Sequence, residues 1–416
     1  MEDKKRKLKI AVWHNLGSGG AKRHLYDLIK CLLKKGHHAE AWCPQTADKN
    51  YKPLKDLIKE HTTHLDVKPF LAKKNAFNLY SLTQKKMSAM EEHCKECADQ
   101  IERGSFDVLY SGSCIFFRVT RIGKYSSIPS VLNLQEPMRK NYEAIFDLPW
   151  AGDGPGPKFS KMLRVLPRAI KMFSASKEMT EERNNAACFD RVLANSLYSR
   201  ESILRAYGIE STFVPLGIDK DLFVRPDVAR KSYLVGIGRV DHLKGIDRVI
   251  RAVGTIDKAV RPELIWVGDT KEDDYKTRME ALADSSGVKL GFKIAVSDSE
   301  LIKTVSSAAL MVYAPRLEPF GLAPLEAGAL GTPVISLAEG GVRESIKDGV
   351  NGVLVSESSP QTFGRAIMEL LDNTEKLKRL SETSREYVIN NWEINISADR
   401  TEEILIETAD KGKTNG

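Results

Sequence analysis

Two carboxylates, Glu318 and Glu326, stand in the stretch Arg316-Leu317-Glu318-Pro319-Phe320-Gly321-Leu322-Ala323-Pro324-Leu325-Glu326-Ala327-Gly328. The apolar run Ala309 to Tyr313 before it stops at Pro315, as a buried strand should. Gly321 frees the backbone, and a helix is expected to about Ala329 with Gly331 as its stop. Pro324 falls in the first helical turn, where a missing N–H costs little. On one unbroken helix the two carboxylates would sit ~80° apart. The prolines and Gly321 instead put Glu318 in a loop and Glu326 in the first helical turns. A helix N-terminus offers N–H groups to an anion, and carboxylates accept from hydroxyls. A ligand with phosphates and several hydroxyls, a nucleotide sugar, satisfies all three groups.

Two cations are spaced for the same ligand. Arg239 follows a strand ending at Gly238, and Lys244 precedes Gly245 and a helix from Ile246 to Gly254. An Arg fork and a Lys point charge beyond a strand's carboxyl end suit a departing diphosphate. An arbitrary Arg and Lys would more ordinarily be a solvated surface pair. Far upstream, Gly19 and Gly20 follow the strand Leu8 to His14 and open an amphipathic helix with Leu25, Leu28, Ile29, Leu32 and Leu33 on one stripe. The glycines let backbone approach a diphosphate, with the positive helix end behind them. Their plainer role is a tight strand-to-helix turn.

The elements that must hold these groups alternate strand and helix. Strands are expected at Leu8 to His14, Ala39 to Cys43, Val108 to Tyr110, Ser130 to Leu134, Arg191 to Ala194 and Thr212 to Val214. The pattern restarts at Ser232 to Ile237 and continues through Leu264 to Gly268, Lys289-Leu290, Leu310 to Tyr313, Val334 to Ser336 and Gly352 to Leu354. Such alternation predicts parallel sheets covered by helices, and the restart predicts two doubly wound domains. We place them at residues 1–216 and 217–386, with a helix over 387–416 returning to the N-terminal domain. In open sheets of this kind ligands bind beyond the carboxyl ends of the strands, where the glycine loop and the Glu318 loop both lie.

With these residues in hand the chain resembles the retaining family 4 glycosyltransferases (glycosyl transferases group 1), whose fold is GT-B. Glu318 and Glu326 stand as that family's E-x7-E motif. Gly238-Arg239-Val240-Asp241-His242-Leu243-Lys244-Gly245 resembles its phosphate-gripping segment, and Asn15 to Arg23 its N-terminal glycine loop. Ala194-Asn195-Ser196 and Pro215-Leu216-Gly217-Ile218-Asp219 resemble two landmarks at the domain junction. The resemblance implies two Rossmann-like domains and hexose transfer from a nucleoside-diphosphate sugar to a glycan or lipid-linked acceptor. It implies that Arg239 and Lys244 contact the donor phosphates, Glu326 the ribose hydroxyls and Glu318 the hydroxyls of the transferred sugar. Backbone N–H groups of Phe320, Gly321 and Leu322 would bind sugar or phosphate oxygens. Gly268 and the stretch containing Lys293 and Ile294 sit where relatives hold the nucleobase. Many relatives carry a His after the N-domain strand Val131 to Leu134; here Gln135 follows, able to hydrogen-bond a sugar but not to shuttle a proton. His14 is the other polar candidate near the sugar. GDP-mannose is the expected donor, with UDP-sugars next. The alternative is a nucleotide-sugar-binding GT-B protein, either an isomerase or epimerase or a non-catalytic binder.

Composition restricts the rest. A chain of 416 residues with 42% apolar and 29% charged residues is an ordinary globular sequence too long for one core. Residues 1–200 hold 35 Lys+Arg against 22 Asp+Glu, and the remainder 28 against 34, so the basic excess belongs to the N-terminal half alone. That makes an anionic surface or substrate an expected partner there. Nucleic acid is not expected, for lack of a recognised binding module. No apolar run approaches the ~20 residues of a membrane span, and no signal peptide is read. The scattered Cys31, Cys43, Cys94, Cys97, Cys114 and Cys188 favour a reducing cytoplasm. The location expected is cytoplasmic, peripheral on the membrane face. In residues 158–173 an apolar stripe opposes a basic one; a core-packing helix is favoured over one lying on a membrane, and Pro167 argues the same way. No cofactor is expected beyond the nucleotide sugar, which is substrate. No metal site is assigned: Asp273-Asp274 reads as solvated, and His61-x-x-His64 with Cys94-x-x-Cys97 reads as helical residues scattered at zinc-like spacing.

Overall fold

The computed structural model describes residues 6–73, 78–143, 165–269 and 273–414. Of the two-striped segment 158–173, residues 158–164 lie outside them and the rest opens the helix Val165–Ala186. Two compact units emerge. The first comprises residues within Met1–Asn195, Ser199–Val214 and Ala398–Gly416; the second comprises Ser196–Tyr198 and Pro215–Ser397.

The first unit is a seven-stranded parallel sheet. Its strands are β1 (Lys9–Asn15), β2 (His38–Pro44), β3 (Lys59–Thr63), β4 (Val108–Cys114), β5 (Ser130–Asn133), β6 (Arg191–Ala194) and β7 (Thr212–Phe213). Their order is β3-β2-β1-β4-β5-β6-β7. The order reverses direction between β1 and β4, which marks the switch point where ligands bind in such sheets. Strands covered on both faces should be apolar throughout, and β4 is buried at every residue. Trp13, Trp42, Cys94, Cys97, Ile101 and Leu109 form the core beneath the long helix Leu79–Arg103. β3 is a strand the sequence pattern does not announce, because Lys59-Glu60-His61-Thr62-Thr63 is polar. It is an edge strand, where charged side chains discourage further pairing. His61 is therefore on a strand rather than a helix, stacked on Trp42 at 4.5 Å and hydrogen-bonded to Glu40 at 2.7 Å.

The second unit repeats the plan. Its strands are β8 (Leu234–Ile237), β9 (Leu264–Gly268), β10 (Leu290–Ile294), β11 (Leu310–Tyr313), β12 (Val334–Leu337) and β13 (Val353–Val355). All pair in parallel, in the order β10-β9-β8-β11-β12-β13. Its switch point falls between β8 and β11, the strands whose carboxyl ends carry Arg239 and Glu318. Trp266 fills the space above Gly236, where an added Cβ would meet its ring at 2.3 Å.

Candidate functional site in the second unit

The site is assembled by turns that only particular residues allow. After β8, Gly238 takes φ +146°, and an added Cβ would stand 3.2 Å from the Lys244 side chain. Asp241 then caps a short turn, His242–Lys244, by accepting from the N–H groups of Leu243 and Lys244 at 3.0 and 3.2 Å. The same carboxylate receives the Arg239 guanidinium through Nε at 2.9 Å and Nη2 at 2.7 Å. Arg239 thus stays half-exposed with its charge fixed in place. At Gly245 (φ +67°) a Cβ would collide with the Ala314 carbonyl at 1.8 Å, so glycine lets this turn press against the end of β11.

That approach brings Lys244 to Glu318. Lys244 Nζ donates to both carboxylate oxygens at 2.8 and 2.9 Å, with side chains only 22% and 12% exposed. The Glu318 loop is held through its backbone. Gly341 N–H donates to the Glu318 carbonyl at 2.7 Å, Ser196 Oγ to that of Pro319 at 2.5 Å, and Ser345 Oγ to that of Phe320 at 3.1 Å. A Cβ on Gly340 would meet the Glu318 carbonyl oxygen at 2.4 Å, and one on Gly341 the Pro319 oxygen at 2.1 Å. Arg316 grips Asp247 with both Nη atoms at 3.0 and 2.9 Å, tying the loop to the helix Ile246–Gly254.

Beyond Gly321, at φ +101°, the helix Leu322–Ala329 begins with its first N–H groups at this same end of the sheet. Phe320 is buried, Gly321 is the N-cap and Leu322 the first helical residue. Glu326 lies one turn in and is buried. Burial holds the Tyr313 hydroxyl protonated well above its usual range, reinforced by the Glu318 and then the Glu326 carboxylate. Both acids are therefore close enough to the end of β11 to act on one side chain. On the other side of β8, a Cβ on Gly268 would stand 2.0 Å from the Gly238 carbonyl. Lys293 and Ile294 end the edge strand β10, and Ala295 N–H bonds Gly268 at 2.9 Å. The Lys293 side chain pairs with Glu300 at 2.8 Å.

In the first unit, Gly19 (φ +123°) caps the helix Gly20–Lys34, both glycines are exposed, and a Cβ on Gly19 would meet nothing within 4 Å. Gln135 occupies the left-handed region, φ +63°, two residues beyond β5, a conformation uncommon for a side-chain-bearing residue. His14 is fully buried and its ring contacts Glu60 at 3.3 Å, so it presents no open edge to a sugar. Asp241, Gly340, Gly341 and Ser196 carry the second unit's geometry but escape a search for reactive side chains. The Arg-x-Asp spacing at 239–241 is the signal that could have revealed Asp241.

Residues 218–387 match the family model described as glycosyl transferases group 1. That match lies within the second unit. The chain is 30% identical over 217 residues to D-inositol 3-phosphate glycosyltransferase 1 of Catenulispora acidiphila, a match covering 47% of this chain and 52% of the relative. It thus spans about half the length of such curated relatives. Sucrose-phosphate synthase from Thermosynechococcus elongatus superposes with TM-score 0.70 at 19% identity, over 96% of this chain and 98% of that one. The Anabaena protein HepE, solved with UDP and glucose, superposes with TM-score 0.67 at 18% identity, over 96% and 99%. The architecture is GT-B.

Proposed function

We propose that the chain is a glycosyltransferase that moves a hexose from a nucleoside-diphosphate sugar, GDP-mannose or a UDP-sugar, to a glycan or lipid-linked acceptor. The observation that carries this reading is the Lys244–Glu318 pair beside the Arg239–Asp241 turn, at one switch point, with the buried Glu326 close by. Arg239 and Lys244 supply positive charge where a diphosphate leaves, and amides of the Glu318 loop and its helix supply oriented donors. Glu318 accepts from sugar hydroxyls and Glu326 from ribose. The group 1 match, and the UDP and glucose in the HepE structure, support a nucleotide-sugar donor. Transfer proceeds with retention, as the E-x7-E resemblance implies, and with side-chain cations rather than a divalent ion opposite the phosphates.

The test is a panel of nucleotide sugars assayed by thermal melting, since a ligand of the folded state raises Tm by mass action. One nucleoside diphosphate and its sugar conjugates are expected to stabilise the chain, and Glu326→Ala to blunt that stabilisation. The hexose product should keep the donor's anomeric configuration by NMR, and turnover should persist with a chelator. A flat panel sinks the donor reading; an inverted product, or turnover abolished by a chelator while the fold and nucleotide binding persist, sinks the mechanism. No helix among the described residues is long and apolar enough to cross a membrane. On this reading the basic N-terminal half meets a lipid-linked acceptor by peripheral contact on the cytoplasmic membrane face.

A further inference from the structure

The sheet face beneath the helix Gly20–Lys34 carries a second cluster, apart from the transferase residues. The parallel register sets Trp13 beside Trp42 and Ala41 beside Glu60. Strand alternation then puts His14, Cys43 and Glu60, from three neighbouring strands, on one face. An imidazole nitrogen of His14, the Cys43 sulfur and a Glu60 carboxylate oxygen all lie within 4.8 Å of one another. His14 and Cys43 are fully buried, and the Glu60 side chain is 3% exposed. His14 Nδ1 has no hydrogen-bond partner, and neither has the buried Lys22 ammonium above the cluster. Two unsatisfied buried nitrogens at one cluster are unusual, because each costs desolvation without return.

We propose that His14, Cys43 and Glu60 form a three-ligand site for a borderline-soft divalent cation of the zinc class. Nitrogen, sulfur and oxygen donors together are the set zinc takes, with a fourth position left to water. Tetrahedral zinc separates its ligand atoms by roughly 3.3–3.8 Å, so small rotamer changes suffice to contract this cluster. On binding, the Cys43 thiol releases its proton to solvent as the sulfur–metal bond forms. The Glu60 carboxylate and the Cys43 thiolate together balance the dication, and the buried Lys22 ammonium opposes it. The site is structural, tying the β3 edge to β1 and β2, and is independent of the transferase reading.

The experiment uses the full-length chain, stripped with chelator and titrated with Co²⁺ as the probe. One Co²⁺ per chain is expected, with thiolate-to-cobalt charge-transfer absorption, displaced by Zn²⁺ and accompanied by a raised Tm. Cys43→Ala should abolish that absorption, and Glu60→Gln should weaken binding at least about tenfold. Lys22→Met should tighten it. Nucleoside-diphosphate binding should survive in all three variants, which separates this proposal from the donor site. If Cys43→Ala does not fold by circular dichroism, His14→Gln and Glu60→Gln carry the same comparison. Absence of the thiolate band in the wild type, or its persistence in Cys43→Ala through another cysteine such as the exposed Cys188, overturns the assignment.

Discussion

Lys244 and Glu318 are largely withdrawn from water and satisfy one another through two hydrogen bonds. Removing one partner of such a pair strands the other charge, whereas removing both relieves it. Lys244→Met should cost about 3 kcal/mol in denaturant unfolding, and adding Glu318→Gln should recover most of it. Strict additivity of the two losses would deny the coupling. His93 is a second buried group with a definite charge state. Its Nε2 accepts from Trp13 Nε1 at 3.3 Å, and its Nδ1–H donates to the His64 carbonyl at 3.1 Å. Burial pushes its pKa from 6.5 down to about 4. The unfolded chain therefore binds the proton more readily between those values, and stability falls as pH drops from 6.5 toward 4. A chain whose unfolding midpoint holds constant over that window would contradict the lowered His93 pKa; His93→Gln should flatten the slope.

At the scale of elements, the short turn His242–Lys244 and the loop after β11 meet only because Gly245 lacks a side chain. Gly245→Ala combines a left-handed backbone with a collision against the Ala314 carbonyl, so the turn must retreat and carry Lys244 away from Glu318. Losses in both melting temperature and nucleotide affinity are expected, and an unaltered protein would mean that the turn is slack. The strongly apolar strands are legible in the sequence, as are Glu318 in a loop and Glu326 in a helix, since Pro319, Gly321 and Pro324 punctuate them. β3 is not legible, because an edge strand needs no apolar face. Ser196 and the Gly340-Gly341 pair are illegible for another reason. They act on main-chain atoms of segments distant in sequence, and no spacing of side-chain types records such contacts.

For the molecule as a whole, the charge excess is confined to residues 1–200, while the rest is acidic. An anionic lipid surface should therefore retain the chain, and Coulomb attraction of this kind weakens with salt. Sedimentation with phosphatidylglycerol-containing vesicles is expected at low ionic strength, with release by salt and no retention by neutral vesicles. Equal retention by both lipid types would remove charge as the cause.

The first unit is also discontinuous along the chain. Its last portion, from Ala398, sets Glu402 against the buried His37 at 2.9 Å and against Lys35 at 3.1 Å. On a ribosome, where domains ordinarily fold in the order of their synthesis, this half is begun first and completed last. Translation must pass through the whole intervening domain before Lys35 and His37 gain their carboxylate, so premature termination near the C-terminus would injure the N-terminal half.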